Sequence, residues 1–185
     1  MTLIIDDIFL GKLKQKDVLA CKQLYLQYAD AMYNICKRIL QNQTEAEDAL
    51  QDGFIKIFEN LHQFRNESSI GSWMKQIITN TCLTILKKKK INWQELDEKS
   101  EGKSDSENES EDDAPNNFSI EQIKNAIEQL PNGYRVVFNL FMFENYSHLE
   151  IAKMLEITES TSKSQLFKAK NKLKEILVQS NNTHG

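Results

Sequence analysis

The sequence predicts an all-α protein with two small helical domains joined by a flexible acidic linker, the second being a helix-turn-helix domain. The chain of 185 residues has only six glycines and two prolines, so few residues interrupt helices. Apolar residues recur at helical spacing on both sides of one acidic stretch. That stretch, residues 95–113, has a net charge of −8 and leaves +4 for the rest of the chain.

The acidic stretch belongs to a linker predicted at residues 92–117, between helical domains at 1–91 and 118–180, with a tail at 181–185. The linker has almost no apolar side chains, so it cannot bury enough surface to offset the entropy of ordering. Fully extended, its 26 residues would span on the order of 85 Å. Two roles stay open, a solubilising spacer or an acidic strand that mimics nucleic acid in a basic channel.

Composition argues against several classes of protein. No apolar run approaches the length of a transmembrane helix, and the N-terminus has acidic residues where a signal peptide needs basic ones, which favours a cytoplasmic protein. The chain lacks a glycine-rich phosphate loop, a metal-ligand cluster and a nucleophile–base pair, so we expect no enzyme activity, cofactor, metal or small-molecule substrate. The histidines are scattered and the cysteines, expected as buried free thiols, lack C-x-x-C spacing: His62, His148, His184, Cys21, Cys36 and Cys82.

Four helices are predicted in the first domain. The first two, at 16–28 and 29–40, share one apolar stripe. The third follows Thr44, which has Glu47 three residues later in the pattern of a capping box, and the fourth covers 71–89. The stripe of the first two helices consists of Cys21, Tyr25, Tyr28, Met32, Ile35 and Ile39.

The third helix has two distinct faces. Five apolar residues at helical spacing predict its core side, and four others predict a separate exposed face. By itself, such an exposed polar face is most simply a solvated surface. The core set is Ala46, Leu50, Phe54, Ile57 and Leu61, and the exposed set is Asp48, Gln51, Asp52 and Ile55.

A run of four lysines ends the fourth helix. Cations at a helix C-terminus are stabilised by the negative pole of the helix dipole. Lysines in a cluster can also bind a nucleic-acid phosphate backbone. Both explanations are open for Lys87, Lys88, Lys89 and Lys90.

The second domain ends in a basic helix-turn-helix over residues 146–177. Before it, a short amphipathic helix starts at Ile120 and stops at 131–133, and another covers 134–143. The basic second helix of the motif fits the DNA major groove, although a lysine-rich face can also be simply solvated. Its predicted inward residues are Ser162, Leu166, Ala169, Leu173 and Ile176, with Lys163, Gln165, Phe167, Lys168, Lys170, Lys172 and Lys174 on the other sides.

Three stretches together resemble the extracytoplasmic-function sigma factors, the compact two-domain group of the sigma-70 family. They are AEDALQDGFIKIF at 46–58, FRNESSIGSWMKQIITN at 64–80 and LPNGYRVVFNLFMFENYSHLEIAKMLEITESTSKSQLFKAKNKL at 130–173. Their order and spacing agree with the family. The resemblance covers residues 16–177 apart from the linker.

The resemblance implies a promoter-specificity subunit of bacterial RNA polymerase. In such a protein the first domain binds the polymerase clamp and opens the −10 element, the second domain reads the −35 element, and the tether threads through the polymerase. Asp48, Gln51 and Asp52 match the positions that contact the clamp. The implied partners are core RNA polymerase and promoter DNA, and an anti-sigma factor is expected because this group is often held inactive by one.

The positions implied for the −10 element are Trp73 and Asn80, with Lys87 to Lys90 on the nearby backbone. A flipped base needs a surface for stacking and polar groups for its edge. For Trp73 a place in the core is an equal alternative, since a lone aromatic residue beside an apolar stripe is usually packed.

The positions implied for the −35 element are Lys163, Ser164, Phe167 and Lys168. The lysines suit guanine edges or phosphates, the serine hydroxyl can donate or accept, and the phenylalanine can meet a thymine methyl. The chain departs from the family at Glu156, where the turn usually has glycine. Because a non-glycine residue at positive φ costs about 1 kcal/mol, this turn is expected to differ.

Two other functions are alternatives to the sigma-factor hypothesis. A polymerase-independent transcription regulator would bind an operator by itself, using its first domain to dimerise or to sense a signal. A protein-interaction module would bind DNA only weakly, without sequence preference and with strong salt dependence. Residues 46–58 favour the sigma reading, because neither alternative accounts for their pattern.

Overall fold

The computed structural model describes residues 6–89 and 118–182, of which 181–182 are described only as helical backbone. The whole predicted linker at 92–117, together with Lys90, lies outside these residues. Every regular element in the described ranges is helical, with eight α-helices and one 3-10 turn, which confirms the all-α class. The fold divides into two compact units, Met1–Lys90 and Ile91–Gly185.

The first unit is a cluster of three long helices with a short helix added at its start. Helices α2, α3 and α4 pack against one another, and α1 packs against α2 and the 3-10 turn. The elements are α1 at Asp7–Lys14, α2 at Val18–Leu40, α3 at Gln43–Asn60, the 3-10 turn at Leu61–Gln63 and α4 at Ile70–Lys88.

The division of the first predicted helices is wrong. Residues expected to form two helices, 16–28 and 29–40, form the single helix α2, because no helix-breaking residue separates them. Asp17 caps this helix by accepting a hydrogen bond from the backbone N–H of Ala20 at 2.8 Å. The short helix α1 was not anticipated, although Leu10 and Leu13 bury its apolar side.

The predicted capping box at the start of α3 is also wrong. Helix α2 ends at Gln41 in a left-handed conformation, so the extended residue that precedes α3 is Asn42. The Asn42 side chain accepts a hydrogen bond from the backbone N–H of Glu45 at 3.0 Å. Thr44 therefore lies inside the helix, and the Glu47 carboxylate instead accepts from the Gln43 side chain at 2.9 Å.

Gly53 allows α3 and α4 to approach closely. It is buried in the middle of α3, and a Cβ atom at this position would lie 2.3 Å from Cδ1 of Ile78 in α4. No side chain can occupy that space while Ile78 keeps its position. The absence of a side chain at residue 53 is thus part of the packing of the unit.

The cysteines of the first unit are free, as predicted. Cys36 in α2 and Cys82 in α4 are buried and joined by a hydrogen bond between their thiols, whereas Cys21 is half-buried. The hydrogen bond with Cys36, followed by burial, raises the pKa of the Cys82 thiol. The pair therefore packs as small uncharged side chains between the two helices.

In the second unit, one long helix packs against three shorter ones. Helix α8 contacts α5, α6 and α7. The predicted stop at 131–133 does not end α5, which finishes at Glu128; Pro131 instead stands directly before α6. The elements are α5 at Ile120–Glu128, α6 at Asn132–Met142, α7 at His148–Leu155 and α8 at Glu159–Asn182.

Arg135 secures the turn between α5 and α6. Its buried guanidinium donates to the carbonyl of Leu130 at 2.8 Å and to the side-chain oxygen of Asn132 at 2.5 Å. Burial lowers the pKa of Arg135 from its ordinary value, an effect that the Glu128 carboxylate opposes. The side chain thus holds the α5 end of the turn next to the start of α6.

The contact between Gly53 and Ile78 predicts compensation between two substitutions. Gly53→Ala alone pushes on the δ-methyl of Ile78, and Ile78→Val alone removes that methyl and costs about 1 kcal/mol. In the double variant the alanine methyl takes the vacated space and improves helix propensity by about 1 kcal/mol. We expect urea unfolding to show that the double variant loses less unfolding free energy than the two single variants lose together. If the changes in unfolding free energy were additive, the two residues would not be in contact as described.

Candidate functional site

The outer face of α3 carries the predicted polar residues on its solvent side. Asp48, Gln51 and Asp52 are exposed, and Ile55 beside them leaves 49% of its surface exposed. Asp48 and Asp52 are four residues apart, as are Gln51 and Ile55, so the two pairs form neighbouring rows along the helix. This face offers a partner two carboxylates, an amide and an apolar side chain.

A groove of about 600 Å³ adjoins this face, between α3 and α2. Gln51 and Ile55 contribute to both surfaces. The edge-to-face rings of Tyr25 and Phe54, with centroids 4.7 Å apart, form part of its wall. The other lining residues are Ala29, Leu50 and Phe58, with Tyr33, Asp30 and Glu47.

The predicted stripe of α2 missed this groove because it placed Tyr25 in the core. Tyr25 is 39% exposed, and the buried residue at this point of the helix is its neighbour Leu24. Both residues fit an apolar pattern. An error of one position, which is about 100° around the helix, was enough to assign Tyr25 to the core in place of Leu24. Tyrosine carries a polar hydroxyl, which was the available signal that it lies nearer the surface.

On α4, Trp73 and Asn80 line the same surface depression, which has a volume of about 360 Å³. Trp73 is half-buried, with its ring centroid 5.4 Å from that of Phe64. Trp73 thus packs against the unit on one side and lines the depression on the other, and its role at the −10 element stays a prediction. The remaining lining residues are Lys56, Asn60, Gln63, Ile77, Thr81 and Thr84.

Hydrogen bonds fix most of the polar groups in this depression. Gln63 donates through Nε2 to Oδ1 of Asn60 at 2.8 Å, and Asn60 donates through Nδ2 to the carbonyl of Lys56 at 2.8 Å. The Lys56 ammonium in turn donates to Oγ1 of Thr81 at 3.1 Å. An aromatic ring beside such fixed polar groups suits a planar ligand with a polar edge, such as a nucleobase.

The lysines at the end of α4 differ in what they contact. Lys87 and Lys88 are exposed in the last turn of the helix. Lys89 follows that turn and forms an ion pair with Glu45 in the first turn of α3. Its charge is thus already matched within the unit, while Lys90 lies beyond the described residues.

The four residues predicted to bind the −35 element lie at helical spacing in the first half of α8. Lys163 is exposed and forms an ion pair with Glu159 at 2.8 Å. Phe167 leaves 57% of its surface exposed and so presents an apolar ring on the outer side of the helix. Ser164, whose hydroxyl donates to the carbonyl of Thr161 at 3.1 Å, and Lys168 are half-buried.

Gln165 does not lie on the outer side of α8, where the pattern placed it. Its exposed fraction is 0%, and it lies in the packed interior with Ser162, Leu166 and Ala169. The buried side of α8 is wide because three helices pack against it. Gln165, three positions after the buried Ser162, therefore lies on the buried side of the helix. Its polarity was the only feature of the sequence that indicated an exposed position.

The turn of the helix-turn-helix forms without glycine. Glu156 adopts φ 60° and ψ 41°, in the left-handed region, and its backbone N–H donates to the carbonyl of Ala152. The expected difference in this turn is absent from its backbone, which takes the conformation that glycine adopts most readily. The turn therefore keeps this conformation at a cost of about 1 kcal/mol of backbone strain at Glu156.

His148 joins three helices at the base of the motif. Its ring stacks on Phe141 of α6, with centroids 4.5 Å apart, and its Nδ1 lies 2.9 Å from the hydroxyl of Ser162 in α8. Burial lowers the pKa of His148, with Lys163 and Lys170 acting in the same direction and Glu159 opposing them. No feature of the sequence distinguishes His148 from the other two scattered histidines.

Within residues 6–89 and 118–182, no group of three or more histidine, cysteine or acidic residues is arranged to hold a metal ion. The helices of the same ranges include none with the length and apolar character needed to span a membrane.

Two family models match the chain, one in each unit. Sigma-70 region 2 matches residues 24–91, and Sigma-70 region 4 matches residues 120–173. The first match includes α3, α4 and the depression. The second includes the helix-turn-helix up to residue 173 and all four candidate residues of α8.

Curated relatives match over most of the chain. The ECF RNA polymerase sigma factor SigW of Bacillus subtilis is 29% identical over 159 residues, covering 81% of this chain and 84% of the relative. The RNA polymerase sigma-H factor of Pseudomonas aeruginosa is 26% identical over 180 residues, covering 93% of each.

Solved structures show the same fold. The sigma factor RpoE in complex with the anti-sigma factor NepR from Bartonella quintana aligns with a TM-score of 0.55 and 22% identity, over 84% of this chain and 95% of the other. CnrH in complex with the cytosolic domain of CnrY aligns with a TM-score of 0.55 and 17% identity, over 93% and 96%.

The lowered pKa of His148 predicts a loss of stability at acidic pH. Because the folded state disfavours the protonated ring, the unfolded state binds a proton more readily, and stability present above the ordinary pKa of 6.5 is lost as the pH falls below it. We expect the unfolding free energy of the wild type to fall more between pH 7.5 and 5.5 than that of His148→Gln. His62→Gln, at an exposed histidine, is the control and should behave as the wild type.

Proposed function

The chain belongs to the extracytoplasmic-function sigma factors of the sigma-70 family, and we propose that it directs core RNA polymerase to promoters by reading their −10 and −35 elements. The observation that carries this proposal is the order of the two matches, region 2 on the first unit and region 4 on the second. Residues 1–91 would bind polymerase and the −10 element, and 118–180 the −35 element.

In this proposal the exposed face of α3 docks on the polymerase clamp. Asp48 and Asp52 supply negative charge to a basic partner, and Gln51 supplies hydrogen bonds. The adjoining groove extends the surface with aromatic walls, which give a partner buried apolar area as well as charge contacts. Ile55 lies where the two surfaces meet and would be covered on binding.

At the −10 element, a base leaves the stack and enters the depression on α4. Trp73 provides the stacking surface and Asn80 an amide for the base edge. Lys87 and Lys88 hold the nearby backbone, with Lys90 continuing the series. Lys89 contributes less, because a phosphate must compete with Glu45 for its ammonium group.

At the −35 element, the first half of α8 enters the major groove. Lys163 and Lys168 bind guanine edges or phosphates, and Ser164 accepts or donates at a base edge. Phe167 meets a thymine methyl, which accounts for its exposure. Lys170 and Lys174 add charge toward the phosphate backbone, whereas Lys172 contributes less because Glu175 pairs with its ammonium group at 2.9 Å.

The proposed function consists of binding and positioning in the cytoplasm, without catalysis, cofactor or small-molecule substrate. An anti-sigma factor is the proposed inhibitory partner, because one solved structure with this fold, the sigma factor RpoE, is in complex with the anti-sigma factor NepR. Such a partner would act by covering surfaces that polymerase needs.

Run-off transcription tests the proposal directly. Core RNA polymerase from a related bacterium is incubated with a library of genomic templates, with and without the full chain. We expect new discrete start sites that disappear with Asp52→Lys, because the substitution places a cation in the docking face. Asp7→Lys, which makes the same charge change at an exposed position of α1, should keep the start sites.

The opposite result has a definite meaning. If no start site depends on the protein, yet the protein alone binds discrete duplex sites, the operator-binding regulator replaces the sigma factor. If it binds duplex DNA only weakly and without sequence preference, the protein-interaction module replaces it.

Base contact and phosphate contact can be separated on α8. With the holoenzyme bound to a promoter, Phe167→Ala should lower the penalty for replacing one −35 thymine, by about 1 kcal/mol, without changing the salt dependence. Lys170→Ala should instead lower the slope of log affinity against log salt by about 1 at unchanged sequence preference. Equal effects of both variants on both measurements would argue against this division of roles.

A further inference from the structure

We infer that duplex DNA bound along α8 takes up a proton at His148, so that the second unit binds the −35 element more tightly as the pH falls. The inference rests on the proposed −35 function and adds a regulatory property to it. Two observations support it: the imidazole contacts α8 beside the side proposed to bind DNA, and the charged groups that act on it are those that DNA would neutralise or release.

His148 lies next to the proposed DNA-binding side of α8. Its Nδ1 is 2.9 Å from the hydroxyl of Ser162, the residue directly before Lys163. Lys163, Phe167 and Lys170 follow one another at spacings of four and three residues and are exposed, so they share one outer side of the helix. The imidazole therefore approaches α8 at the edge of the surface that would face DNA.

The contacts of the imidazole permit both of its charge states. A serine hydroxyl can donate to Nδ1 of a neutral ring or accept from the N–H of a charged one, so the bond to Ser162 survives protonation. The face of the Phe141 ring, on which His148 stacks, carries partial negative charge and does not repel a cation. Because His148 is only half-buried, water can supply the proton.

In the free protein, the charged form of His148 is disfavoured. Burial lowers its pKa, and the ammonium groups of Lys163 and Lys170 act in the same direction. The Glu159 carboxylate opposes them, but it is paired with Lys163 at 2.8 Å. These three charged residues all belong to α8.

The other helices around His148 contribute no charge of comparable effect among the described residues. Helix α6 supplies the uncharged ring of Phe141. Within α7, the Glu150 carboxylate accepts from the backbone N–H and from the hydroxyl of Ser147, at 2.8 and 2.7 Å. The state of the charges on α8 therefore decides whether His148 carries a proton.

Bound DNA changes all of these influences in one direction. Phosphates that neutralise Lys163 and Lys170 remove the repulsion between their ammonium groups and a charged imidazole, and they add negative charge of their own. A phosphate that takes Lys163 from its ion pair also releases the Glu159 carboxylate, which favours the charged ring. DNA binding therefore raises the pKa of His148. By reciprocity, a proton on His148 raises the affinity for DNA by the same factor.

The direction of the pH dependence follows from these shifts. The affinity for DNA rises as the pH falls through the raised pKa of the bound state, and it levels off below the lowered pKa of the free state. The ordinary pKa of 6.5 lies between the two. We expect a gain of roughly fivefold between pH 7.5 and pH 6.0, near the lower end of typical coupling between binding events.

The test measures the affinity of the holoenzyme for a duplex promoter fragment at both pH values and constant ionic strength. From pH 7.5 to 6.0, the affinity of the wild type should rise about fivefold more than that of His148→Gln, which keeps a hydrogen-bonding group but cannot take up a proton. Comparing two holoenzymes cancels the pH dependence of polymerase itself. Calorimetric titration in two buffers of different ionisation enthalpy should show that the wild type takes up more protons on binding than the variant.

A second variant leaves the imidazole in place. Lys170→Ala removes one of the ammonium groups that DNA would neutralise, so the gain in affinity at pH 6.0 should be smaller than in the wild type. The matched control combines His62→Gln with His184→Gln and keeps His148 as the only histidine of the chain. It should retain the full fivefold gain.

The inference is overturned if the affinities of the wild type and of His148→Gln change alike with pH while circular dichroism shows both to be folded. It is also overturned if the gain in affinity at pH 6.0 disappears in the control that keeps only His148. A wild-type holoenzyme that binds no promoter at either pH would be a failure of the sigma function itself and is recognised separately.

Discussion

The packing of α4 against α2 and α3 is the constraint on which the first unit depends. Each of the three helices buries an apolar side against the other two, so only the opposite sides are available for partners. Gly53 sets the distance between α3 and α4 by leaving room for Ile78. This distance brings Lys56 within 3.1 Å of Thr81 and thereby places groups of both helices around one depression. The exposed face of α3 and the depression therefore result from the same packing.

Polar contacts have a comparable role in the second unit. Arg135 holds the turn between α5 and α6, and His148 connects α6, α7 and α8 through Phe141 and Ser162. Hydrogen bonds of this kind have directional requirements that apolar contacts lack. They restrict how α8 can rotate on its neighbours. The outward direction of Phe167 and the lysines of α8 follows from that restriction.

Local periodicity was sufficient to predict the helical class and the exposed face of α3, because both depend on residues close in sequence. The errors arose where distant residues decide. Gln165 is polar and yet buried, since three helices surround that side of α8. The depression beside Trp73 combines the end of α3, the 3-10 turn and α4, and no local pattern indicates that Gln63 and Asn80 both line it. Asn42 and not Thr44 caps α3, because Gln41 reverses the chain in a left-handed conformation directly after α2 and the next helix already begins at Gln43.

Helix α3 contacts the side of the unit proposed to bind DNA at both of its ends, through Glu45 and Lys89 at one end and through Lys56 and Asn60 at the other. Its middle carries the face proposed for polymerase. One helix thus connects the two surfaces proposed to bind polymerase and DNA. If bound polymerase restrains the motion of this helix, the protein loses less conformational entropy when it then binds a base. By thermodynamic reciprocity, binding of the DNA strand then raises the affinity for polymerase by the same factor. Dissociation from the promoter and dissociation from polymerase are therefore linked.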